Sequence, residues 1–186
     1  ISNGETYIVG TTRAVSNFQD QNLLVCKISA NNSISFTRTI GNILSGTLTC
    51  GILNGNLCLA GSNAATGYPV TNATQHLGYN TGYFTMLDAS GNIQYSTFLG
   101  ILNTLLPMQI VNDKIYLSGS MSYSDFPTTN GSTIAGEDDN MLFVLNPDGS
   151  NFFLGFTGGN KREIPTKMVI QNNHVYLAGI TESGDY

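Results

Sequence analysis

The sequence predicts an all-β protein built from consecutive, look-alike antiparallel sheets. Three observations carry that expectation. Short runs of β-branched and aromatic residues alternate with Asn, Asp and Gly throughout the 186 residues, the composition of strands and tight turns. A four-residue pattern ending in Gly recurs at Gly10, Gly61, Gly119 and Gly179, in steps of 51, 58 and 60 residues. No apolar stripe at helical spacing competes with these runs.

The elements follow in order. The first recurring segment is Tyr7-Ile8-Val9-Gly10, then Cys58-Leu59-Ala60-Gly61, Tyr116-Leu117-Ser118-Gly119 and Tyr176-Leu177-Ala178-Gly179. An Asn precedes each Gly by seven positions, at Asn3, Asn54, Asn112 and Asn172. Asn and Gly adopt positive φ at little cost, so these positions predict tight hairpins such as 168–171 into 175–180. A second set runs in phase: 23–29, 82–88 and 140–146, each leading into a polar turn. Beyond each turn a further β run ends in Gly, at Gly41, Gly100 and Gly158. The apolar stretch 101–111 is interrupted by Pro107 and is expected to lie between strands.

Four runs per period of about 58 residues predict a four-stranded antiparallel sheet with two apolar faces. Such a sheet cannot cover both faces alone, so its neighbours must stack on it. The repeat length points to β-propeller blades; a β-sandwich needs no such period and a solenoid repeats in shorter units. About three blades are represented, in repeats spanning approximately 1–45, 46–103, 104–162 and an incomplete 163–186. Closed propellers have about 4–8 blades, so the segment is expected to be part of a larger ring.

Two stretches, Gly119-Ser120-Met121-Ser122-Tyr123-Ser124-Asp125-Phe126-Pro127-Thr128-Thr129-Asn130 and Asp138-Asp139-Asn140-Met141-Leu142-Phe143-Val144-Leu145-Asn146-Pro147-Asp148-Gly149, resemble the bacterial SBBP-type β-propeller repeat. The preceding repeat is similar through Tyr68-Pro69-Val70-Thr71 and 87–100. The first repeat departs from the pattern: its inter-hairpin loop is eight residues shorter and lacks the aromatic-Pro-x-Thr motif. The resemblance implies secreted or cell-surface bacterial proteins, often large and multidomain, with no general catalytic motif.

Composition narrows the function. Seven Lys/Arg against twelve Asp/Glu give a net charge of −5, which argues against nucleic acid and anionic membrane surfaces as partners. No apolar run approaches a membrane span, and no Gly-rich phosphate loop leads from strand to helix. Glu137-Asp138-Asp139 is the one acidic cluster. A hard cation such as calcium favours several such oxygens, which makes Asp138 and Asp139 the only metal candidates. However, their equivalents in the other repeats carry no carboxylate, and a solvated turn is the expectation. Tyr68, Phe126 and Tyr186 each sit seven residues past the repeat Gly. Rings there could stack on a sugar; recurrence favours a scaffold role. His76 and His174 belong to no catalytic or zinc motif. Cys50 and Cys58 fall on paired strands of one hairpin and leave a disulfide open.

The expected function is therefore a non-enzymatic extracellular scaffold, a rigid body that displays loops to a protein partner or surface glycan. The remaining blades of this or another chain are expected partners, and no cofactor is expected. Two alternatives stay open: a polysaccharide-acting enzyme, which would need paired carboxylates about 5–10 Å apart, or a structural spacer in a large adhesin or secretion assembly.

Overall fold

A computed structural model describes residues 4–13, 21–44, 46–72, 78–123 and 127–185. Among the described residues there are thirteen strands and no helix. The strands β1 (Thr6–Arg13), β2 (Gln21–Ile28) and β3 (Ile34–Ile43) form a three-stranded antiparallel sheet. Next come β4 (Leu48–Leu53), β5 (Asn56–Gly61), β6 (Thr81–Leu87) and β7 (Ile93–Leu105), a four-stranded meander. A second meander holds β8 (Gln109–Val111), β9 (Lys114–Tyr123), β10 (Asp139–Leu145) and β11 (Asn151–Thr157). A hairpin, β12 (Glu163–Gln171) with β13 (His174–Thr181), completes the described chain. The strands make no closed ring among the described residues.

The turns explain the recurring Asn. Leu53 pairs with Asn56, Val111 with Lys114 and Gln171 with His174, leaving two-residue loops. Both loop residues have positive φ in each: Asn54 and Gly55, Asn112 and Asp113, Asn172 and Asn173. That geometry matches the twist of the flanking strands. The outer turns repeat just as closely. Ser29, Asp88 and Asn146 each donate their N–H to the carbonyl four residues on, at 2.9 Å. Asn32, Gly91 and Gly149 hold the left-handed position within them.

The strand β7 differs from the expectation that it would end at Gly100. Gly100, with φ 109°, bends the strand rather than stopping it. Residues 93–101 pair with β6, and residues 101–105 pair with β9 of the next meander. Two meanders expected as separate sheets are thus joined edge to edge. Pro107 falls in the gap before β8, where no ladder hydrogen bond is lost.

Side-chain alternation places the core. Along β5, Leu57 and Leu59 face one way while Cys58 and Ala60 face the other; along β6, Tyr83 and Leu87 oppose Phe84 and Met86. The Leu59 face joins Leu23, Val25 and Ile40 of the first sheet. The Cys58 face joins Ile115, Leu117, Met141 and Phe143 of the second meander. The middle sheet is therefore covered on both sides by its neighbours. Each fully buried aliphatic residue at these faces contributes about 1.5–3 kcal/mol.

The same register settles the cysteine pair. Cys50 lies opposite Leu59, and Cys58 lies opposite Gly51. The two sulfurs therefore point to opposite faces of the sheet, and all three cysteines are free thiols.

Candidate functional site

The aromatic-Pro-x-Thr motif acts as a clip. Thr71 N donates to Ser96 O at 2.8 Å, and Ser96 N donates to Thr71 Oγ1 at 2.9 Å. One repeat later, Thr129 N donates to Leu154 O at 2.9 Å and Leu154 N to Thr129 Oγ1 at 3.2 Å. A threonine offers a backbone donor and a hydroxyl acceptor on one residue, so each loop is fastened to the last strand of its own meander.

Tyr68 completes the clip from inside. It is 3% exposed, its ring centroid is 4.6 Å from that of Tyr83, and its hydroxyl pairs with Thr85 Oγ1 at 2.7 Å. Burial pushes its phenol well above the usual tyrosine range. No face of the ring is left for a sugar, so Tyr68 is a packing residue and not a ligand contact. Phe126, Tyr186 and His76 lie outside the described residues. His174 sits exposed at its hairpin turn, its Nδ1 2.8 Å from Asn172 O.

Clipping leaves a concavity on the second meander. It has a volume of about 530 Å³ and lies between the end of β9, the clipped loop and β11. Tyr123, which is 49% exposed, forms one wall, with Phe156 and Ile134 adding apolar surface. Thr128 and Ser132 supply hydroxyls. The loop is held in shape: Asn130 Oδ1 accepts from Ser132 N at 3.1 Å, Thr128 Oγ1 donates to Ser132 O at 2.7 Å, and Phe156 N donates to Ser132 Oγ at 2.8 Å. None of the described residues lining the concavity is charged. Rigid hydroxyls beside a half-exposed ring suit an uncharged, hydrogen-bonding ligand.

The acidic candidates separate. Asp138 is buried and ion-paired, its Oδ2 2.9 Å from Arg162 Nε, with Asn103 Nδ2 donating to its other oxygen. Arg162, half exposed, is thus partly committed. Asp139 turns away from Asp138, accepting from Ala135 N at 2.9 Å and Gly136 N at 3.2 Å. The two aspartates do not share a site. Beside Asp139 lies Glu163, which sequence reasoning missed because it stands 24 positions away in no motif. Glu163 is 1% exposed and accepts from Gly159 N, Thr181 Oγ1 and Ser183 Oγ. Among the described residues no group of three or more His, Cys, Asp or Glu is placed to hold a metal ion.

No family model matches the chain, and no curated protein is significantly similar to it.

Proposed function

We propose that the chain is a run of β-propeller blades of the SBBP type, a non-enzymatic extracellular scaffold that presents clipped loops to a protein partner or surface glycan. The observation that carries the reading is the recurrence of inter-sheet contacts one repeat apart. Gly91 lies against the ring of Phe36, and Gly149 lies against the ring of Tyr95 in the same way. Equivalent innermost strands also meet. Met108 N donates to Thr49 Oγ1 at 2.8 Å, Gln109 Nε2 to Met168 O at 2.6 Å, and Asn112 Nδ2 to Asn173 Oδ1 at 3.2 Å. The outer contact recurs between the first and second and the second and third units, and the inner strands of the second, third and fourth units are hydrogen-bonded in turn, which supports a reading as stacked blades.

The concavity beside Tyr123 is the surface best suited to a partner. Residues 128–132 of its loop are fastened in advance, so little ordering entropy is lost there on binding. The enzyme reading draws less support. Among the described residues the close carboxylate pair, Asp139 and Glu163, is 1% exposed at each residue, out of reach of a polysaccharide.

A panel of soluble polysaccharides tests the reading when retention and release of reducing ends are both measured. Retention without release, weakened at least tenfold by Tyr123→Ala, is the expected outcome. Release of reducing ends that disappears in Asp139→Asn or Glu163→Gln would replace the scaffold by a hydrolase.

A further inference from the structure

The two end faces of the stack carry apolar side chains at positions that are buried inside it. Ile8 stands where Leu59 and Leu117 stand in the next two units. Leu59 and Leu117 are fully buried against the preceding unit, whereas Ile8 is 53% exposed. Cys26, its cross-strand neighbour, answers to Thr85 and Phe143, which are also buried. Leu24, opposite Gly10, answers to Tyr83 and Met141, each 0% exposed, yet is only half-buried itself.

The opposite end shows the complementary half. Tyr176 stands where Cys58 and Tyr116 stand, and it pairs with Val169. In the second unit the matching pair, Gly51 and Cys58, lies against the third: a Cβ on Gly51 would meet Met108 Sδ and Ile110 Cδ1. In the third unit Gln109, which pairs with Tyr116, reaches the fourth at Met168 O. Val169 and Tyr176 are instead 41% and 57% exposed, and Ala178 is exposed on the same face. A unit that caps a stack turns a polar face outward. Neither end face is of that kind, and apolar surface left open in this way marks an interface.

We propose that a second copy of this chain seats the outer face of its first sheet, at Ile8, Leu24 and Cys26, on the outer face of the β12–β13 hairpin, at Val169, Tyr176 and Ala178. Faces at these positions meet at each of the three junctions within one chain, so the copy continues the stack head to tail. The contact is heterologous and either closes a ring or extends a fibre. It rests on the reading of the units as stacked blades and not on a ligand beside Tyr123.

Sedimentation equilibrium of the whole chain over about 1–200 µM is the test. The mass is expected to rise with concentration from one chain to two or more. Ile8→Lys and Tyr176→Lys each spoil one face, and each is expected to weaken association at least tenfold. Both side chains are exposed in the single chain, so the thermal midpoint of dilute protein should move by no more than about 2 °C. Mixed in equal amounts, the two variants keep one intact half each and are expected to form a dimer that grows no further. A single chain at every concentration overturns the proposal and leaves the faces to another occupant, a further repeat or an unlike protein. Association lost with Tyr176→Lys but untouched by Ile8→Lys overturns it as well, because hairpins then pair like to like. Failure of the mixed variants to pair has the same meaning. Methyl NOEs across the internal junctions of the single chain separate the failures: their presence leaves the stacked blades standing, and their absence removes both readings.

Discussion

Gly149 and Gly131 make the same backbone demand in different surroundings. Both hold positive φ, at 84° and 74°. A Cβ on Gly131 meets nothing within 4 Å, whereas one on Gly149 would lie 2.5 Å from Tyr95 Cδ1 in the preceding meander. Gly131→Ala is expected to cost only the left-handed conformation, about 1–2 kcal/mol. Gly149→Ala adds overpacking of a ring and is expected to cost about 2–4 kcal/mol in urea unfolding. Equal losses would mean that the Tyr95 contact does not join the two units. Thiol reactivity offers a second check at this scale. Burial pushes the Cys58 thiol up to about 12, while Cys50 is exposed. In a Cys26→Ala background, Cys50 should react with a thiol reagent at pH 8 at once and Cys58 only on unfolding, so adding Cys50→Ala should remove the fast phase. The turn aspartates set a pH dependence. N–H donors from Asn92 hold the Asp88 carboxyl below its usual range, and Ser150 does the same for Asp148. A carboxyl depressed in the folded state stabilises above its unfolded value and loses that contribution as pH falls through the folded one. Stability should therefore decline below about pH 4, and less steeply in the Asp88→Asn, Asp148→Asn double variant.

At the scale of the element, the loop clip and β7 carry the argument. Thr71→Val and Thr129→Val keep the shape of the side chain and remove its acceptor, leaving Ser96 N–H or Leu154 N–H without its partner. Each substitution is expected to cost about 1 kcal/mol and to speed amide exchange across 69–72 or 127–132 respectively, read by hydrogen-exchange NMR. Exchange unchanged in both loops would mean the threonines do not fasten them. The strands themselves were legible in the sequence. The runs at 23–29, 82–88 and 140–146 fall within two residues of the bounds of β2, β6 and β10, because alternating aromatic and β-branched residues have few other uses. The tail of β7 was not legible: Gly100 reads as a terminator, and only tertiary pairing with β9 makes it a bend. The site was still less legible. For Tyr68 the recurrence of the aromatic position favours a scaffold role over a sugar contact, and the ring is buried. Asp138 and Asp139 adjoin in sequence yet point apart, as neighbours on a strand must. Glu163 reaches Asp139 only because the turn at 158–162 folds back, a relation that no spacing announces.

Across the whole molecule, the account rests on units that cover one another. The middle sheet has two cores and no solvent face, so its two sets of alternating side chains belong to different neighbours. Truncating Leu59 or Leu117 to Ala should each cost about 2–5 kcal/mol, and both should lower one cooperative transition rather than create two. The most direct measurement is a set of methyl NOEs on the intact chain with labelled Ile, Leu and Val. The stacked arrangement predicts that Leu57, Leu59 and Leu87 share cross-peaks with the group Leu23, Val25 and Ile40. It predicts that Leu99 and Leu102 share theirs with Ile115 and Leu117, with none between Leu23 and Leu117. Cross-peaks linking both alternating sets of the middle sheet to one common neighbour would contradict it.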